Sequence, residues 1–204
     1  MNTKKLLSLV LVLVLALSLS VAAMAADGET KTITSSEELI EAIKNQEDGQ
    51  TWILKPGTYD VGEACREIQA NINGNASGFV FPIFADNLTI KGEGSVKITS
   101  SYVAATGNWY DQNFITVSGS NVKIENVTIQ GNQNSYYGGQ CNKVIEVIDG
   151  GKDFTLRDVI LESLKDSDGK DCSGSIYINT TDAGNTVIEN VTMSSWINAQ
   201  AVTT

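Results

Sequence analysis

The densest group of hard oxygen donors in the sequence is Glu162, Asp166, Asp168 and Asp171, with Gly169 between the last two. Carboxylates spaced around a glycine turn can wrap a calcium ion in oxygen ligands. A solvated acidic loop is the competing reading, because the spacing departs from a complete EF-hand loop. The histidine count is zero, which removes Ser-His-Asp and Cys-His catalysis, imidazole zinc sites and histidine general bases. Acid–base work would fall to Asp, Glu, Lys, Arg or Tyr.

A second set is aromatic. Tyr102, Trp109, Tyr110, Tyr136 and Tyr137 fall between the strand-like segments, among Asn108, Gln112, Asn132, Gln133 and Asn134. Exposed Trp and Tyr rings stack on the apolar faces of sugars while amides satisfy the hydroxyls, so polysaccharide or cell-wall material is the partner this set suggests. Packing of the same rings against the outside of a sheet explains them equally well. Three cysteines, Cys65, Cys141 and Cys172, are too few for a disulfide scaffold but allow one bridge in an oxidising compartment.

These residues need a frame, and the frame is repetitive. The segment from Asn121 to Ile129 (NVKIENVTI) recurs from Asp153 to Leu161 (DFTLRDVIL) and from Asn185 to Met193 (NTVIENVTM), each time after 32 residues. A fainter copy runs from Asn87 to Gly92. Short apolar runs precede each copy: Phe79–Phe84, Phe114–Val117, Val144–Ile148 and Ser175–Ile178. Within a copy, Val122 and Ile124 share one face of a strand, whereas Val127 and Ile129 have the opposite parity. The phase slips at Asn126, so the chain turns a corner there and keeps its apolar side inward. Gly92, Asn126, Asp158 and Asn190 hold this slot, and all three residue types tolerate the left-handed conformation of a tight corner. The expectation is a ladder of corner residues, most with positive φ, with Val122, Ile124, Val127 and Ile129 buried beneath Phe154, Leu156, Val159 and Leu161. Repeats of three short strands describe a solenoid of stacked units about 4.8 Å apart. In such a stack Cys141 and Cys172 come to nearly the same angular position on adjacent turns, within reach of a disulfide, with Cys65 left free.

Ahead of the repeats, Ser35-Ser-Glu-Glu38 reads as a capping box, with Ser35 accepting from the Glu38 amide and Glu38 reaching back. Leu39, Ile40 and Ile43 form the apolar face of the short helix that follows, a natural lid for a solenoid end. At the amino terminus, Lys4 and Lys5 precede the apolar run Leu6–Val21 and the small residues Ala23-Met-Ala25, the pattern of a secretory signal peptide. The chain carries a net charge of −10, and removing that leader takes away two lysines and no acid. Such a chain has no basic stripe with which to track phosphates, so its charge argues against a nucleic-acid partner. No second apolar run approaches the roughly 18 residues of a membrane span. The expected product is secreted or held at the cell surface.

The segments TSSEELIEAI and GQTWILKPGTYDV resemble the amino-terminal start of the pectate-lyase-like right-handed parallel β-helix superfamily, and NLTIKGEG and NVKIENVTI resemble its unit motifs. The resemblance covers roughly Thr32 to Met193. It implies an all-β, right-handed parallel β-helix with an amino-terminal capping helix. The expected division is a signal peptide over 1–25, cap helix and first strands over 26–62, and β-helix units over 63–204, truncated at the carboxyl end. Pectate lyases imply a calcium held by stacked acids, for which the Glu162–Asp171 group is the match, and a basic residue as base. Arg157 shares an outward strand slot with Lys91, Glu125 and Glu189, so interleaved surface charge accounts for it. The polygalacturonase element is matched only imperfectly by Asn179-Thr-Thr-Asp182, without the neighbouring Asp pair or the histidine. No complete catalytic set can be assembled. The expectation is therefore a β-helix module for polysaccharide binding or surface display. The alternative is the amino-terminal part of a polysaccharide lyase or glycoside hydrolase acting on an acidic polysaccharide such as pectin.

Overall fold

In the computed structural model the repeat interval reappears as strand pairing. The structure describes residues 28–62, 64, 80–104, 113–131, 133–134, 143–162, 164–165, 171–172, 175–193 and 197–199. Among these, one ladder joins β1 (Thr30–Ile33), β2 (Thr51–Leu54), β5 (Thr89–Gly92), β9 (Lys123–Glu125), β13 (Thr155–Glu162) and β17 (Val187–Met193). A second joins β3 (Gly57–Asp60), β6 (Val96–Thr99), β10 (Thr128–Gln130) and the later half of β13, which continues through its corner. A third runs β4 (Phe81–Ile83), β8 (Asn113–Val117), β12 (Lys143–Val147), β16 (Ser175–Ile178) and β18 (Ile197–Ala199). Every pair in the three ladders is parallel. From β4 onward the chain visits them in rotation.

Register then stacks like on like. Trp52, Ile90, Ile124 and Leu156 lie in one row, Tyr59, Ile98, Ile129 and Leu161 in a second. Phe81, Ile115, Ile145 and Ile176 form a third. All twelve are buried and belong to one continuous core, as are Val122, Val127, Phe154 and Val159. The two sets of four expected to lie one above the other do so. Each fully buried aliphatic or aromatic side chain of this kind contributes about 1.5–3 kcal/mol relative to exposure.

The corner ladder is present, with a local difference. Asn126, Asp158 and Asn190 have φ of 54°, 54° and 52°. Asn126 Nδ2 donates to the Gly92 carbonyl at 2.7 Å, and Asn190 Nδ2 donates to Asp158 Oδ1 at 2.5 Å. Gly92 itself ends β5 without a left-handed φ; Gly94, at φ 76°, turns the chain instead. Glycine is required at 92 for another reason, since a Cβ there would stand 2.1 Å from the Asn126 carbonyl oxygen. A second ladder marks the preceding corner: Asn87, Asn121 and Asp153 have φ of 58°, 53° and 54°, and Asn121 Nδ2 donates to Asn87 Oδ1 at 2.9 Å.

Helix α1 (Ser36–Lys44) begins as the sequence suggests, with Ser35 Oγ accepting from the Glu38 amide at 3.2 Å. Glu38 reaches one residue further back than a capping box requires. Its Oε2 accepts from the Thr34 amide at 2.6 Å and the Thr34 hydroxyl at 2.8 Å, and the Thr34 amide bond holds its carboxyl below the ordinary range. Leu39, Ala42 and Ile43 are buried in the same core as the strands, and Ile40 packs against it half-buried. Just past the helix, buried Gln46 bonds across to the edge of the third ladder. Its Nε2 donates to the Ile43 carbonyl (2.9 Å) and the Pro82 carbonyl (3.0 Å), and its Oε1 accepts from the amides of Phe84 (2.8 Å) and Ala85 (3.0 Å). A side-chain amide has the donor and acceptor of a peptide group, so Gln46 stands in for the missing neighbour of β4.

Carboxylates hold several further turns. Asp60 Oδ1 accepts from the amides of Gly62 (2.9 Å) and Ser101 (2.8 Å). Partial burial pushes its pKa up, but the Ser101 and Gly62 amides and the Ser101 hydroxyl together outweigh burial and hold it below the ordinary value. A depressed folded-state pKa contributes stability that is fully present above the unfolded value, about 3.9, and is lost as pH falls through the folded one. Asp60→Asn should therefore lower stability at neutral pH and flatten the stability profile below about pH 4. Urea midpoints measured against pH check this; an unchanged acid limb would refute it.

Candidate functional site

The face of the third ladder opposite its apolar row carries polar residues beside the buried Phe114 and Val144. By register, Pro82, Thr116, Glu146 and Tyr177 align on that face. Glu146 is 2% exposed and lies at the centre of a converging group. Asn113 Nδ2 donates to its Oε2, Lys143 Nζ lies 2.6 Å from its Oε1, and Asn179 Nδ2 donates to the same oxygen at 3.3 Å. The Lys143 ammonium also stands 4.8 Å from the centroid of the half-buried Tyr177 ring. Strand pairing builds the group: Lys143 opens β12 directly beside Asn113, which opens β8.

Lys143 and Glu146 differ from the other ion pairs among the described residues in that both side chains are largely withdrawn from water, at 15% and 3% exposure. Arg157, by contrast, bridges Glu189 at 2.8 Å and Glu125 at 3.3 Å on the open surface of the first ladder. The hydrogen bond and charge of Glu189 keep it firmly protonated, so it is a surface cross-link between units. Two polar atoms beside the buried pair, Asn113 Oδ1 and Thr116 Oγ1, have no hydrogen-bond partner among the described residues although both residues are buried. An orphaned buried acceptor costs roughly 1–3 kcal/mol, so their placement needs a reason.

Of the residues singled out by type and spacing, Tyr102 is half-buried and packs against the core, which is the packing alternative for that residue. Trp109, Tyr110, Tyr136 and Tyr137 lie outside the described residues. Glu162 is neutralised by Lys97, at 2.6 Å from the second ladder. Asp166 and Asp168 lie outside the described residues, on the connection between β14 (Leu164–Lys165) and β15 (Asp171–Cys172), an antiparallel pair that includes Asp171. Among the described residues no three acidic or cysteine side chains are grouped to hold a metal. Cys65 and Cys141 also lie outside them, and Cys172 pairs in backbone register with Leu164. Sequence reasoning missed the Glu146 group. Its only signal was an acid inside an apolar strand, Val144-Ile-Glu-Val147, in the slot of Thr116 and Tyr177.

A scan against protein-family models finds no match, and a search of curated proteins finds none. Among the described residues no helix is long and apolar enough to cross a membrane.

Proposed function

We propose that this chain is an exported parallel β-helix module, a solenoid of three-stranded units closed at its amino end by α1, that binds polysaccharide or cell-wall material at a cell surface. The observation that carries the reading is one of connectivity. Segments 105–112 and 135–142, bearing Trp109 and Tyr110 and then Tyr136 and Tyr137, lead directly into β8 and β12. These strands are parallel neighbours, and Lys143 pairs with Asn113 at their starts. The two aromatic segments thus join one sheet at one level, as the wall of a carbohydrate-binding face requires. The resemblance to pectate-lyase-like β-helices and the leader-like amino terminus agree with it. The enzymatic alternative, part of a polysaccharide lyase or glycoside hydrolase, has one buried carboxylate to draw on in the described site, already held by a lysine and two amides.

Electrophoresis through gels containing neutral or acidic polysaccharides tests the binding. One or more polymers should retard the protein, and Trp109→Ala with Tyr136→Ala should abolish retardation while leaving the melting temperature unchanged. Retardation that survives both substitutions would remove the aromatic segments from the reading. Appearance of new reducing or unsaturated ends in the polymer would transfer the protein to the enzymatic alternative.

A further inference from the structure

The Glu146 group has the composition of a self-acylating site: a lysine amine, a carboxamide and a carboxyl group between them, withdrawn from water. We propose that Lys143 and Asn113 become joined by an intramolecular isopeptide bond, with Glu146 moving the protons.

The reacting groups are neighbours by construction, since Lys143 and Asn113 are register partners on adjacent parallel strands. Their side chains meet on the two oxygens of one carboxylate, the ammonium at 2.6 Å from Oε1 and the amide on Oε2. Holding nucleophile and acyl group in place this way replaces an encounter in solution with a unimolecular step, the largest advantage available to a slow aminolysis. Asn113 is fully buried and Glu146 nearly so, which excludes water as a competing nucleophile. Asn179, the other carboxamide on Glu146, is exposed and lies further off at 3.3 Å, so Asn113 is the acyl donor.

The orphaned oxygen of Asn113 fits the same chemistry. With Glu146 ionised, Nδ2 of Asn113 lies on Oε2 and Oδ1 has no partner among the described residues; rotation of the carboxamide after Glu146 takes up a proton brings Oδ1 to that oxygen. Once Glu146 carries a proton it donates to that oxygen and polarises the Cγ carbonyl. The step balances without an oxidant or cofactor. Lys143 passes a proton to Glu146 and its neutral amine attacks Asn113 Cγ. The Nζ–Cγ bond forms, and a second lysine proton reaches Nδ2 by way of Glu146. The Cγ–Nδ2 bond then breaks, and ammonia departs with the remaining proton as ammonium, leaving Glu146 ionised as it began.

Intact-mass measurement on the natively folded chain, followed by proteolysis and tandem mass spectrometry, tests this. The processed protein should be lighter than its sequence by one ammonia, and one cross-linked peptide pair should join Lys143 to Asn113. Glu146→Gln should restore the full mass, whereas Asn179→Ala should keep the loss. A wild-type mass equal to the sequence overturns the proposal. So does an ammonia loss that maps to a succinimide at Asn73-Gly74 or to Asn179, or one that persists in Glu146→Gln. Should Glu146→Gln fail to fold, the cross-linked peptide of the wild type decides alone.

Discussion

Gln46→Ala should lower the free energy of unfolding by about 3 kcal/mol, a large share of what holds a domain of this size together. The side chain serves four backbone groups at once: the carbonyls of Ile43 and Pro82 and the amides of Phe84 and Ala85. Removing it leaves these without partners beside a buried edge, at roughly 1–3 kcal/mol for each group that water cannot reach. Gln46→Glu should fall between, since it keeps the acceptor for the two amides and loses the donor. Urea unfolding at constant m-value reads both variants. An alanine variant within about 0.5 kcal/mol of wild type would mean that water replaces the side chain and that α1 is attached only by its apolar face.

Measured against the chain in which Lys143 and Asn113 are not yet joined, Lys143→Met should cost at least as much, about 3–5 kcal/mol, because it leaves the Glu146 carboxylate uncompensated in a site that is 2% exposed. Asn113 and Asn179 would still donate to it, but neither carries charge. Adding Glu146→Gln to Lys143→Met should recover part of the loss, the behaviour of two groups coupled directly. Denaturant midpoints of the two single variants and the double variant give the coupling; strictly additive losses would contradict a mutual dependence of Lys143 and Glu146.

What the sequence made legible was what repeats. The interval of 32 residues, the parity change at Asn126 and the matched residue types at 158 and 190 are local signals, and strand registers and left-handed corners followed them. The corner row Asn87–Asn121–Asp153 falls at the first residue of three copies, whereas in the fourth the left-handed residue is Gly184, one position before Asn185. Gln46 and Glu146 were illegible for a different reason. Gln46 finds three of its four partners 36–39 residues away, and Glu146 meets Asn113 and Asn179 33 residues away on either side. Each is a single polar side chain whose surroundings arise only after the units have stacked. Alternation alone assigns Glu146 to the surface, since the segments bordering its sheet lie elsewhere in the chain.

The regular pairing interval also bears on how the chain reaches this arrangement. Each strand of β9, β13 and β17 finds its partner 32–34 residues upstream, and the third ladder advances by 30–34 residues from β4 to β16 before a shorter step of 21 to β18. Loop-closure entropy grows only with the logarithm of loop length, so each added unit meets an almost identical entropic cost, and relative contact order falls as the array lengthens. Folding can then proceed by templated docking, each unit adding to the one already in place, with β2 and β3 offering the first edges. A chain emerging amino end first would present its strands in the order in which they can pair, and the exposed edge awaiting a partner would never exceed the breadth of a single unit.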